Sequence, residues 1–168
     1  MKLFIPSLLL FGAVIFTGLS AGLFYAWSIS VIPGTLDVSH QTYLETMQSI
    51  NRAILNPQFY AVFFGSMVFL SIASIDAFNT NSSTFWFLLG ASILYLIGTI
   101  GVTSLGNVPL NDQLEVLKIN ELSQLKMETF RVHYEMQWNK FHLIRTVCAV
   151  LSFVLSVLAL CSQPKTIQ

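Results

Sequence analysis

The sequence predicts an all-α fold, a bundle of four transmembrane helices with additional helical loops outside the membrane between spans 1 and 2 and spans 3 and 4. Three observations predict it. Of the 168 residues, 54% are hydrophobic and only 10% charged, against about 25% charged in ordinary soluble domains. Four stretches, approximately 3–32, 57–75, 85–105 and 142–161, stay apolar for the roughly 20 residues that a helix needs to cross a bilayer. The connections between them are unequal, and the two long ones carry helical rather than loop-like patterns.

The first apolar run is too long for a signal-peptide core, so it is read as a retained span that tilts or protrudes. Within it, Thr17, Ser20, Phe24 and Trp27 fall on one side, a spacing that suits helix packing as well as a pocket wall. The segment from Ser39 to Asn56 repeats Leu44, Met47, Ile50 and Ile54 at helical spacing and places Gln48 and Asn51 on one polar face. Asn56-Pro57 reads as the N-cap and first-turn proline of the second span. "DAFNTNSST" is a short polar turn leading to the third span.

After that span, "GNVPLND" reads as punctuation. Gly106 is expected to cap the helix, Pro109 to stop it, and Asp112 with Glu115 to begin a capping box for the next one. Punctuation leaves Asn107 and Asn111, which flank the proline at the mouth of the bundle, without a purpose. Gly18 with Gly22, and Gly98 with Gly101, are expected to let helix backbones approach closely. Cys148 and Cys161 are about 20 Å apart along a helix and too distant to bridge.

The chain is read as one integral membrane domain, 1–168, with both termini on the same side because the number of spans is even. Six Lys or Arg lie on the long-loop side against two, Lys2 and Lys165, on the terminal side, but most of the six sit in a charged helix, so orientation stays open. Eight basic and eight acidic residues cancel and leave no positive surface for nucleic acid. The expected partners are the lipid bilayer and an apolar small molecule; the sequence does not specify an oligomeric state.

The main candidate for function lies at the head of the fourth span, "WNKFHLIRT". If the preceding charged helix runs into it without a break, Glu128, Arg131, Glu135, Trp138, Asn139, His142, Arg145 and Ala149 share about a third of the circumference, while His133 and Lys140 point elsewhere. Singly, these residues also suit an interfacial role, with Arg145 snorkelling to the headgroups and Trp138 in an aromatic belt. Together they form an aimed polar stripe. His133 and His142 lie nine residues apart on opposite faces and lack the i, i+3 or i+4 carboxylate pairing of helical metal sites, and haem or copper ligation would need His40 to meet His142 in space, so no metal ligands are assigned.

Four stretches, "FYAWSISVIPG", "MQSINRAILNPQF", "NVPLND" and "WNKFHLIRT", together resemble the anthrone oxygenase-like family of small four-span membrane proteins. The resemblance covers nearly the whole chain, and it implies oxidation of an aromatic or polyketide-like apolar substrate by molecular oxygen as co-substrate, without a cofactor. On that implication His142 is the expected base, since imidazole accepts protons near neutral pH. Arg145 is the expected stabiliser of the enolate oxygen. Asn107, Asn111, Trp138, Asn139, Gln48 and Asn51 are the expected substrate-binding residues, around an apolar pocket at the long-loop face into which His142 points. The alternatives are a non-catalytic membrane module that holds a small lipophile or partner protein, and a metal-dependent membrane oxidoreductase.

Overall fold

The computed structural model describes residues 4–163; Lys2, Leu3 and Lys165 lie outside them. α1 (Phe4–Ala26) passes through a π-helical turn, Trp27–Val31, into the short α2 (Ile32–Gly34). α3 (His40–Ala53) follows, and then α4 (Pro57–Ala77). α5 (Ser82–Ile93) continues through two π-helical stretches, Leu94–Gly101 and Thr103–Asn107, into α6 (Val108–Glu115). A 3-10 turn, Ile119–Glu121, leads to α7 (Gln124–Cys161). Four helical stretches, Leu8–Gly34, Pro57–Ala77, Ser82–Glu115 and Gln124–Cys161, are long and apolar enough to span a membrane. The protein is an integral, multi-pass membrane protein.

The side chains divide as a bilayer requires. On α1, Leu8, Phe11, Ile15 and Leu19 are exposed at helical spacing, as are Leu143, Val147, Leu151, Val154 and Leu158 on α7; these faces meet lipid. The buried faces carry small and hydroxylated residues instead. Ser20 Oγ lies 2.7 Å from the Tyr95 hydroxyl, which donates to the Phe63 carbonyl at 3.0 Å, and Thr17 meets Ser156 at 3.1 Å. Lipid supplies no hydrophobic drive between helices, so such bonds and close backbone approach hold the bundle.

The close approaches are made by glycines facing aromatic rings. A Cβ at Gly65 would stand 2.8 Å from the Phe16 ring, and one at Gly12 would stand 2.5 Å from the Phe69 ring. The two rings themselves pack at 4.9 Å between α1 and α4, so each helix seats its phenylalanine over the other's glycine. Gly65→Val is expected to destabilise the protein by about 1–3 kcal/mol through overpacking, read as a lowered midpoint of thermal unfolding in detergent.

Three expectations about glycine and proline are corrected. Gly18 and Gly98 do accept neighbours, the Phe153 ring and Cys148, but Gly22 has open space around it and Gly101 meets only a carbonyl of its own helix. Gly106 is not a C-cap; no glycine has positive φ among the described residues, and the missing side chain leaves room for the Phe141 ring, which a Cβ here would meet at 2.6 Å. Pro109 does not stop the helix, which runs on to Glu115. Asp112 and Glu115 therefore lie inside α6, and the cap of α7 is Ser123, whose side chain accepts from the Lys126 amide.

The π turns explain how the prolines are tolerated. Trp27–Val31 ends two residues before Pro33, and Thr103–Asn107 ends two residues before Pro109. A proline ring displaces the carbonyl four residues back, and a wider turn accommodates that displacement without breaking the helix. Each widened turn also re-aims side chains toward the same region, Trp27 and Ser28 from one, Thr103 and Asn107 from the other. Asn56 behaves as expected, its side chain accepting from the Phe59 amide at 2.9 Å ahead of Pro57.

α3, α6 and the first half of α7 pack into a cap over one end of the bundle, around Tyr43, Leu44, Met47, Leu114, Tyr134 and Trp138. Arg131 ties this cap to the chain leaving α1. Its guanidinium donates to the carbonyls of Val38 (2.7 Å), Thr35 (2.9 Å) and Leu36 (3.1 Å) and to Glu135 (3.0 Å), and it lies 4.4 Å over the Tyr43 ring. Burial first, and the Glu135 charge second, push the Tyr43 phenol well above its ordinary range, so it stays a neutral hydroxyl under the cap.

Candidate functional site

α7 is a single helix of 38 residues, so the polar stripe is continuous from Arg131 to Ala149, and its spacing directs Tyr134, Trp138, His142 and Arg145 inward. His142 is 1% and Arg145 8% exposed. Neither reaches outward to the membrane boundary. Trp138 stacks on the His142 ring at 5.0 Å and 11°, and Phe24 meets that ring edge-on at 6.2 Å.

The hydrogen bonds fix the imidazole's protonation. Arg145 Nε and Nη2 both approach His142 Nδ1, at 3.2 and 3.1 Å. A guanidinium only donates, so Nδ1 carries the lone pair and Nε2 the proton. Nε2 then donates to Ser28 Oγ at 2.9 Å, and that hydroxyl donates onward to the Phe24 carbonyl at 3.2 Å. Thr146 Oγ1 lies 3.4 Å from Nε2 and is bonded at 2.7 Å to the His142 carbonyl. His142 is thus a neutral ring held at both nitrogens.

Arg145 is much less satisfied than Arg131. Besides Nδ1, its one contact of hydrogen-bonding length to a side chain is with Thr103 Oγ1, at 3.5 Å. The cation lies between two aromatic faces, 4.6 Å from the Phe24 centroid and 5.0 Å from that of Trp138. No carboxylate among the described residues forms an ion pair with it. Aromatic faces attract a cation but leave in-plane N–H groups free. A buried guanidinium with spare donors and no counter-charge among the described residues can bind an oxygen anion or a strongly polarised carbonyl.

Those donors face a chamber. Arg145, Thr103, Trp138, Asn111 and Asn51 line a cavity of about 120 Å³ whose remaining wall is apolar, with Phe24, Trp27 and Phe59 prominent. Asn51, Leu55, Val108 and Asn111 line it jointly with an outer vestibule of about 260 Å³, which also includes Arg52, Asp112 and Glu115. The Arg52–Glu115 ion pair, at 3.1 Å, joins α3 to α6 beside that vestibule.

The expected site residues therefore separate into groups. Arg145, Trp138, Asn111 and Asn51 share the chamber. His142 stands behind Arg145 and Trp138 and does not line it, against the expectation of a pocket into which this ring points. Asn107 is buried, donating to the Trp138 carbonyl at 3.2 Å, with no partner for its Oδ1 among the described residues; it supports the wall rather than forming it. Gln48 spends its amide on the carbonyls of Leu114 (2.8 Å) and Leu117 (3.1 Å), closing the end of α6. Asn139 lines a separate cleft with Trp27, Thr35 and Glu135.

Several residues of the site were missed by sequence reasoning. Tyr134 and Thr146 lie four residues to either side of Trp138 and His142, so the stripe's own periodicity could have found them. Ser28 and Thr103 depend on the π turns, which the sequence signals only through the prolines that follow. Among the described residues, no group of three or more His, Cys, Asp or Glu side chains is placed to hold a metal ion.

A family model described as anthrone oxygenase matches residues 57–155, which contain α4 to α6 and most of α7, including Asn107, Asn111, Trp138, His142 and Arg145. No curated protein and no solved structure matches the chain.

Proposed function

We propose, because the chain belongs to the anthrone oxygenase family, that it is a membrane oxygenase acting on a planar aromatic or polyketide-like carbon acid, with molecular oxygen as co-substrate and no cofactor. The observation that carries this reading is Arg145, a buried cation with no counter-ion among the described residues, facing an aromatic-lined chamber. A ketone oxygen at the guanidinium makes the methylene across the central ring acidic, because the negative charge left on losing its proton is conjugated through the rings and settles on that oxygen in surroundings of low dielectric. Trp27 and Phe59 line the chamber beside the cation and offer apolar walls to a ring system.

The chemistry balances without a further oxidant. The methylene loses a proton, and the enolate gives its electrons to dioxygen as a carbon–oxygen bond forms, yielding a hydroperoxide once protonated. Loss of water then breaks the O–O bond and removes the second hydrogen from the same carbon, leaving a new carbonyl. In sum, one substrate and one O2 give one quinone and one water.

His142 is assigned the first proton. Its basic nitrogen is held by Arg145. This role requires that, as the guanidinium turns to the substrate oxygen, Nδ1 is both released and opened to the chamber, so that the methylene proton reaches it through a water; the enolate's charge then offsets the second cation. Oxygen uptake by detergent-purified protein with anthrone, with and without chelator, tests the reading. His142→Gln, which keeps an acceptor for Arg145 but no base, is expected to lower kcat about 100- to 10,000-fold with little change in KM. Unchanged oxygen uptake by folded His142→Gln and His142→Ala proteins would remove the base assignment.

A second reading draws on the chamber's size. At about 120 Å³ it is smaller than typical ligand pockets of about 300–1,000 Å³, and His142 is sealed from it. A non-catalytic binder of a small lipophile suits both facts. Binding of aromatic ketones without oxygen uptake would favour that module over the oxygenase.

A further inference from the structure

The throat between chamber and vestibule carries two amides whose orientation is set by a single indole N–H. Trp138 Nε1 donates to Asn111 Oδ1 at 2.9 Å. An indole nitrogen can only donate, so this oxygen cannot be exchanged with the amide nitrogen. The Tyr134 hydroxyl lies 3.1 Å from the same Asn111 Oδ1 and must donate to it. Its oxygen is then left as an acceptor, and Asn51 Nδ2 donates to it at 3.3 Å. The direction of every bond in the relay from Trp138 to Asn51 follows from the first.

Two groups remain at the ends. Asn111 Nδ2 and Asn51 Oδ1 have no hydrogen-bond partner among the described residues, and neither is sealed from solvent as Asn107 Oδ1 is. Both amides line the chamber and the vestibule, and both are bonded to one phenol oxygen, which holds them side by side. The throat thus presents one fixed donor next to one fixed acceptor.

We infer that Asn51 and Asn111 are specificity-determining residues that read a hydroxyl on the outer edge of the ligand. A hydroxyl suits the pair because it donates to Asn51 Oδ1 while accepting from Asn111 Nδ2, the counterpart of what the Tyr134 hydroxyl does with the other end of each amide. An ether oxygen accepts but cannot donate, and a bare C–H edge does neither. Arg145 lines the chamber but not the vestibule, whereas the amides line both, so the ligand is oriented with its ketone inward and its hydroxyl outward. Tyr134 acts as a positioning residue.

The inference rests on the proposed aromatic-ketone ligand, yet it is tested by binding rather than turnover. The probes are anthraquinone, 2-(hydroxymethyl)anthraquinone and the methyl ether of the latter, titrated into detergent-purified protein while tryptophan fluorescence is followed. The hydroxymethyl compound is expected to bind about tenfold more tightly than either of the others, as two ordinary hydrogen bonds allow. In Asn51→Leu the preference is expected to fall to about twofold or less. Tyr134→Phe, which removes one oxygen and keeps the ring, is expected to weaken it as well, because the Asn51 amide is then free to turn. Equal binding of the three probes by wild-type protein overturns the inference, as does no binding, or a preference that survives both substitutions. Oxygen uptake separates the two proposals: the tenfold preference without turnover of anthrone sinks the oxygenase reading alone, and turnover without preference sinks only this one.

Discussion

On the proposed reaction, Arg145→Met is expected to lower kcat/KM for anthrone oxidation by about 100- to 1,000-fold, the usual loss when a principal oxyanion donor is removed, and to leave the protein as stable as before or more so. The two halves of this expectation have one cause. Arg145 is buried with no carboxylate partner, and its strongest bond is to an uncharged imidazole. Removing it leaves no opposing charge stranded and replaces a poorly solvated cation with an apolar side chain of similar length. A residue kept for stability would show the reverse pattern. Arg145→Lys is expected to restore little activity, because a compact ammonium does not reproduce a planar cation between the Phe24 and Trp138 faces or its paired in-plane donors. Steady-state oxygen uptake together with thermal unfolding reads both halves.

Arg131→Met, fourteen residues earlier on the same helix, is expected to destabilise the fold by about 3–5 kcal/mol, the range for breaking a buried pair from one side. Here all three guanidinium nitrogens donate to partners within the chain. Its loss leaves the carbonyls of Thr35, Leu36 and Val38 without their donor and Glu135 without its cation. Because Arg131 joins the segment after α2 to the cap, the cap and its Tyr43 contact loosen first. Limited proteolysis is expected to cut between residues 35 and 39 in the variant and not in the wild-type protein. Two buried arginines on one helix thus have opposite signatures, and what separates them is whether their donors are satisfied by the chain itself.

The bundle was legible in the sequence where a single local rule governs. Apolar runs of bilayer length give the spans, Asn56 with Pro57 gives the start of α4, and the spacing of Leu44, Met47 and Ile50 gives α3. The stripe on α7 was legible for the same reason: 100° per residue is enough to place Trp138, His142 and Arg145 together. The structure shows where that rule stops. Helical spacing says which residues share a face, and not which of them reaches a cavity, so His142 and Arg145 could not be ranked from the sequence. Gln48 and Asn51, three residues apart, part company because the carbonyls of Leu114 and Leu117 meet one and Tyr134 the other.

Gly106 and Pro109 misled because their common use is to end helices. Here the preceding π turn absorbs the proline, and the glycine makes room for Phe141. The same departure from α-helical geometry brings Thr103 toward Arg145 and Asn107 against the Trp138 carbonyl. Residues that punctuate a loop in a soluble protein serve in this span to widen a helix at the level of the site. Only the packing partner, distant in sequence, distinguishes the two uses.

The central claim is that a ketone oxygen is received by the guanidinium of Arg145 inside the chamber beneath the cap. The most direct measurement is an experimental structure with anthraquinone bound. It is predicted to place one quinone oxygen within about 3.5 Å of the Arg145 guanidinium, with the rings in the chamber against Trp27 and Phe59. A quinone seated instead in the apolar groove of about 570 Å³ between α4 and α5, lined by Met67, Phe78, Phe85 and Leu89, with Arg145 still turned to His142, would contradict it.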